Sequence, residues 1–169
     1  IGNYGAPNQL LLGDGSGGFA TAVDLPGGSL NTYAIELGDV NGDRVLDVII
    51  GNYGAPNQLL LGDGSGGFAT AVDLPGGSLN TRAIELGDMN GDRVLDVIIG
   101  NTNQPNQLLL GDGSGGFATA VDLPGGSLGT RAIRLGDVNG DRVLDVIIGN
   151  DGAPNQLLLG DGSGGFATA

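Results

Sequence analysis

Asp39, Asn41, Asp43 and Asp47 stand at positions 1, 3, 5 and 9 of one short loop, with Gly42 between them. A tight loop points alternate side chains inward, so these oxygens can converge, and the carbonyl of Val45 at position 7 adds another. Hard cations such as Ca²⁺ take about six to eight oxygens at about 2.3–2.6 Å. Gly42 permits the sharp bend. The same set recurs as Asp88, Asn90, Asp92, Val94 and Asp96, and again as Asp137, Asn139, Asp141, Val143 and Asp145. Three carboxylates around one divalent ion leave a single net negative charge, so the ion relieves a repulsion that opposes folding. Mg²⁺ is less suited, because it prefers rigid octahedra with retained waters. A purely structural reading stands beside this one: Asp-Asn-Gly-Asp clusters also make turns in which the side chains bond their own backbone. Three identical ligand sets in a chain without lysine favour Ca²⁺.

Composition narrows the chemistry further. The chain has 169 residues, with 19 acidic and 6 basic side chains, all of the latter arginine, for a net charge of -13. Such a surface repels nucleic acid and anionic membranes and attracts cations. There is no histidine and no cysteine, which removes His-dependent triads, thiol chemistry, disulfides and zinc sites together. Paired carboxylates can hydrolyse glycosides, but here the aspartates are committed to cation binding or to turns. An enzyme is not expected. No apolar run approaches the roughly 20 residues of a membrane span.

A repeat positions these loops. Residues 23–71 recur as 72–120 and as 121–169, a period of 49, and residues 1–22 match the second half of that unit. The chain therefore divides into a partial repeat (1–22) and three full ones. It starts and stops inside expected strands, as a window on a longer array would. Each unit holds four short apolar runs, in the first copy 34–37, 45–50, 58–61 and 68–74, separated by clusters rich in Gly, Asn, Asp and Pro. The second run is almost continuously apolar, as a strand buried on both faces is. In the fourth, Phe68, Thr70, Val72 and Leu74 alternate with Ala69, Ala71 and Asp73. With 36 glycines and no sustained helical period, helices are not expected. Four antiparallel strands in roughly 40–50 residues predict an all-β chain of β-propeller blades, part of a larger ring or array.

The stretch from Gly38 through Asp43 into Asp47-Val48-Ile49-Ile50, followed by Leu-Leu-Leu-Gly-Asp-Gly and Gly-Gly-Phe, resembles the FG-GAP/VCBS repeat of integrin α-subunits and many bacterial surface proteins. The resemblance covers every repeat. It implies a propeller of seven blades, an extracellular or cell-surface location and calcium in the loop between the two inner strands. Arg44 stands where members commonly carry a second glycine, which leaves the ligand positions intact.

The repeats differ at seven positions only: Asn31/Asn80/Gly129, Tyr33/Arg82/Arg131, Glu36/Glu85/Arg134, Val40/Met89/Val138 and the triplets beginning at Tyr53, Thr102 and Asp151. In a four-stranded meander the Asp loops and the Gly-Asp-Gly turns share one face, and five of the variable positions belong to the opposite one. Drift at exposed loops is the bland explanation. The sharper one makes Tyr33, Tyr53, Arg82, Thr102, Asn103, Gln104, Arg131 and Asp151 a ligand-binding face for a glycan or protein. Two functions follow. Near-identical units suit a calcium-binding structural protein that self-associates or continues the same array as a surface fibre or matrix; the variable face suits an adhesion or recognition module.

Overall fold

The computed structural model describes residues 1–168; Ala169, the last residue of the third repeat, lies outside the described residues. The strands, in chain order, are β1 (Gln9–Leu10), β2 (Val23–Asp24), β3 (Thr32–Gly38), β4 (Asp47–Leu60), β5 (Val72–Gly87), β6 (Asp96–Asn101), β7 (Gln107–Leu109), β8 (Val121–Asp122), β9 (Thr130–Gly136), β10 (Asp145–Asn150), β11 (Gln156–Gly160) and β12 (Phe166–Thr168). All pairings between them are antiparallel. No helix forms among the described residues, and none is long and apolar enough to cross a membrane.

The third repeat shows the unit most plainly. Its sheet runs β12-β11-β10-β9, a four-stranded meander. Ile147 pairs with Arg134 on one side and Leu157 on the other, so β10 is central. The second repeat follows the same order as β5-β6-β7, and the first two residues of the third repeat, β8, close that sheet. In the first repeat, β4 runs on through the equivalent hairpin, with irregular register at Tyr53 and Pro56, and β5 carries the outer strand of one blade into the inner strand of the next. This continuity joins two blades in a single six-stranded sheet.

The second apolar run behaves as its composition dictates. Every residue of Asp96–Asn101 is buried, because blades cover both of its faces. Ile49 and Val97 belong to one interior cluster, and Ile98 and Val146 to the next. The expected start at residue 45 is corrected to 47. Val45 and Leu46 remain in the loop, because Asp47 anchors the loop and so sets the first ladder position, opposite Gly38.

Strict alternation in the fourth run does not hold. Phe68 and Ala71 pack on the core and Leu74 is buried, but Val72 is exposed, as are Val23 and Val121. Gly111 opposes Phe117, whereas Leu108 opposes Val121, so one extra residue lies between the two pairs. That insertion turns the valine outward.

Candidate functional site

The three Asp loops join the first strand of each blade to the second, and each closes on itself. Asp39 Oδ1 accepts the N–H groups of Gly42 (2.7 Å) and Asp43 (3.1 Å), while Oδ2 accepts that of Arg44 (2.8 Å). Asn41 Oδ1 accepts Asp43 N–H, Asp43 Oδ1 accepts Val45 N–H, and Asn41 Nδ2 donates to Asp43 Oδ2. The loops at Asp88 and Asp137 repeat these bonds within about 0.1 Å. Arg44, Arg93 and Arg142 take left-handed φ values of 68°, 69° and 71°, the conformation that a glycine at this position would adopt freely.

Asp47 does different work. It is fully buried, its Oδ2 accepts Val40 N–H at 3.0 Å, and its Oδ1 accepts Gly62 N–H at 2.9 Å. It thus ties its loop to the Gly-Asp-Gly turn of the same blade. Burial pushes the carboxyl of the equivalent Asp96 above its ordinary value, and the charges of Asp92 and Asp88 add to that push against the two amide bonds. The turn itself is locked by Asp63, whose Oδ1 accepts Ser65 N–H, Ser65 O–H and Gly67 N–H at 2.7–2.9 Å. Those donors hold Asp63 below the usual aspartate range. The Gly-Asp-Gly segment is the hairpin turn its composition indicated.

At the opposite end of the second strand, the variable residues meet. The Arg82 guanidinium carbon stands 3.9 Å from the Tyr33 ring centroid and 4.7 Å from that of Tyr53. Tyr33 and Tyr53 are 5.7 Å apart, and Tyr4 meets Tyr33 edge-on at 6.3 Å. Arg131 pairs with Asp151 at 2.8 Å, Arg134 pairs with Glu85 of the preceding blade, and Gln104 Oε1 accepts Asn80 N–H. Thr102 O–H donates to Thr130 O, and Asn103 N–H to Leu128 O. A cleft of about 300 Å³ runs along β3, β5 and β9, lined by Tyr33, Glu36, Arg82, Arg131 and Arg134. Of the seven variable positions, only Val40/Met89/Val138 lies elsewhere, beside the Asp loops.

Beneath this edge is a polar clamp not foreseen from sequence. Asn8 Nδ2 donates to Thr32 Oγ1, Thr32 O–H donates to Asn52 Oδ1, and Asn52 N–H donates to Asn57 Oδ1, all at 2.8–3.0 Å and buried. Asn52 Nδ2 donates to Pro56 O. These residues read as ordinary turn formers. The signal available in the sequence was their identity in every copy on both sides of a variable triplet.

Residues 39–99 and 88–148 match the FG-GAP-like repeat, together well over half of the chain. The chain belongs to the FG-GAP-like repeat family. Comparison with the curated proteins finds no match. Among solved structures, a lectin from Agrocybe aegerita, described for specific recognition of non-reducing terminal N-acetylglucosamine, is similar over 94% of this chain with a TM-score of 0.63 and 20% identity. The match covers 44% of the lectin chain, so this FG-GAP chain spans less than half of its length. A likeness at that identity carries the fold, and it agrees with propeller-type blades.

FG-GAP loops imply calcium, and the donor chemistry of these three suits it: only oxygens, and three carboxylates per loop. Each carboxylate oxygen that accepts one N–H keeps lone-pair capacity for a cation. The side chains are nevertheless turned onto their own backbone. Among the described residues, no three acidic side chains gather closely enough to hold a metal ion. The loop geometry is thus that of the turn reading, with a donor set fit for the ion reading.

Proposed function

We propose that this chain is a non-enzymatic recognition module that binds carbohydrate along its Tyr–Arg edge and is braced by calcium at its Asp loops. One observation carries the reading: six of the seven positions that differ between otherwise near-identical repeats converge on a single edge. Invariant residues build the blades and the asparagine clamps; the variable ones are held at the clamps' ends, where they face outward. Tyrosine faces supply apolar contact, while Arg82, Asn103 and Gln104 supply directional hydrogen bonds. A sugar presents that combination of C–H and O–H groups. The Agrocybe lectin, with a similar fold, supports this ligand class.

Calcium would be held by Asp39, Asn41, Asp43, the carbonyl of Val45 and Asp47, and by their equivalents, where it would neutralise carboxylates that now repel one another. Family membership supports a location outside the cell, where millimolar calcium is available. The assembly role expected from near-identical repeats rests on that repetition itself.

An array of immobilised glycans probed with the whole chain in calcium tests the reading. Binding to a restricted set of terminal sugars is expected, and Tyr33→Ala should abolish it. Retention on no glycan overturns it, as does binding indifferent to Tyr33.

A further inference from the structure

We propose that Arg82 receives the carboxylate of an acidic sugar, so that the glycan held along the Tyr–Arg edge ends in a residue that carries a carboxylate. The inference rests on the carbohydrate reading and names the substrate class of that same edge.

In a chain of net charge -13, with six cations against 19 carboxylates, one cation of this edge lacks an anion. The salt bridges among the described residues engage Arg131 and Arg134, not Arg82. Arg82 lies instead against two rings, 3.9 Å from the Tyr33 centroid and 4.7 Å from that of Tyr53. Stacking engages the face of a guanidinium and leaves its in-plane donors free. Its Nε is buried without a hydrogen-bond partner, and a buried donor left unpaired costs free energy that an acceptor recovers. Arg82 belongs to the middle full repeat, with Tyr33 and Arg131 on the repeats at either side, so these surroundings are set within the chain.

The third blade shows what such an arginine takes. Arg131 stands one repeat after Arg82, and its guanidinium donates to the Asp151 carboxylate at 2.8 Å. The counterpart of Asp151 in the second blade is Thr102, which donates its O–H to Thr130 O. The second blade therefore keeps the arginine and lacks the aspartate. A carboxylate on the ligand would supply at Arg82 what Asp151 supplies at Arg131, and the planar fork of a guanidinium matches that group with two parallel bonds.

The acidic residues of the cleft do not occupy this position. Glu85 is paired with Arg134. Glu36 stands at the same repeat position as those two and feels the charges of both. That position lies three residues beyond Tyr33 and Arg82, about 10 Å along an extended strand. The cleft of about 300 Å³ thus has a cationic end at Arg82 and Arg131 and an acidic end at Glu36. Tyr33, 43% exposed at the cationic end, offers a ring face to the C–H groups of the sugar that bears the carboxylate.

Immobilised glycans ending in neutral, carboxylate-bearing or sulfated sugars, probed with the whole chain in calcium, test the proposal. Retention should be confined to the carboxylate-bearing ends and should vanish once the carboxylate is reduced to the alcohol. In titrations with a retained acidic glycan, Arg82→Gln should weaken affinity about tenfold or more. Thr102→Asp gives the second blade the Arg–Asp pair that the third already carries, and should weaken affinity as much. Both variants should melt like wild type. Retention of neutral or sulfated ends as strong as that of carboxylate-bearing ones overturns the proposal and leaves the carbohydrate reading standing. Affinity for the acidic glycan that either variant leaves unchanged does the same. Retention on no glycan overturns both.

Discussion

Asp96 and Gly111 are joined by a 2.9 Å bond from the glycine amide to a carboxylate with no solvent exposure, and the same carboxylate accepts Met89 N–H at 2.8 Å. Asp96→Ala strands both amides, at a cost of about 1–3 kcal/mol each. Asp96→Asn keeps one acceptor and should fall between. Urea unfolding measures both; an alanine variant as stable as wild type would show that the anchor is dispensable.

Arg44, Arg93 and Arg142 hold a backbone conformation that costs an L-residue about 1–2 kcal/mol. Replacing all three with glycine should raise the melting temperature, with up to about 1 kcal/mol gained at each loop after the entropy of the freer unfolded chain is counted. A lower melting temperature would mean the arginine side chains contribute contacts that outweigh the strain.

Stability should fall in acid, and the turn aspartates set part of that slope. Asp14, Asp63, Asp112 and Asp161 all lie below the ordinary value of 3.8 because serine and glycine donors hold the charged form. Their contribution is present above 3.8, where the unfolded chain is already ionised, and is lost as pH drops through the lower folded values. Asp96, shifted upward, acts in the opposite sense: protonating it relieves a buried charge. Chemical unfolding as a function of pH should show a shallower acid limb when the four turn aspartates become asparagine. An unchanged limb would place the acid sensitivity elsewhere.

Calcium should add stability. At affinities of about 10⁻⁴–10⁻³ M, typical of extracellular modules, ion at about 1 mM contributes roughly 0.4–1.4 kcal/mol per site. Asp92→Ala should remove one bound ion by calorimetry, while Asp63→Ala should remove none. Identical melts in chelator and in excess calcium would rule the loops out as ion sites.

The period of 49 and the composition of its four runs were enough to anticipate all-β blades, because alternation of β-rich runs with turn residues is written locally. The double burial of Val97, Ile98 and Ile99 was likewise visible as an unbroken apolar run. The outward turn of Val72 was not, since a register shift depends on how two strands meet rather than on either one. The Asp loops could be located, but whether Asp39 faces its own amides or an ion depends on orientation, which spacing leaves open. Tyr33 and Arg82 could be marked as variable. Their stacking arises only when the first strands of successive blades are brought side by side.

On the proposed reading, the variable residues of the Tyr–Arg edge bind and the invariant residues build. Calorimetric titration of the glycan selected on the array tests it most directly, comparing wild type with Tyr33→Arg/Tyr53→Asp, which gives the first blade the third blade's residues at those positions. The double variant should lose measurable affinity while melting like wild type. Equal affinity in the two proteins would contradict it.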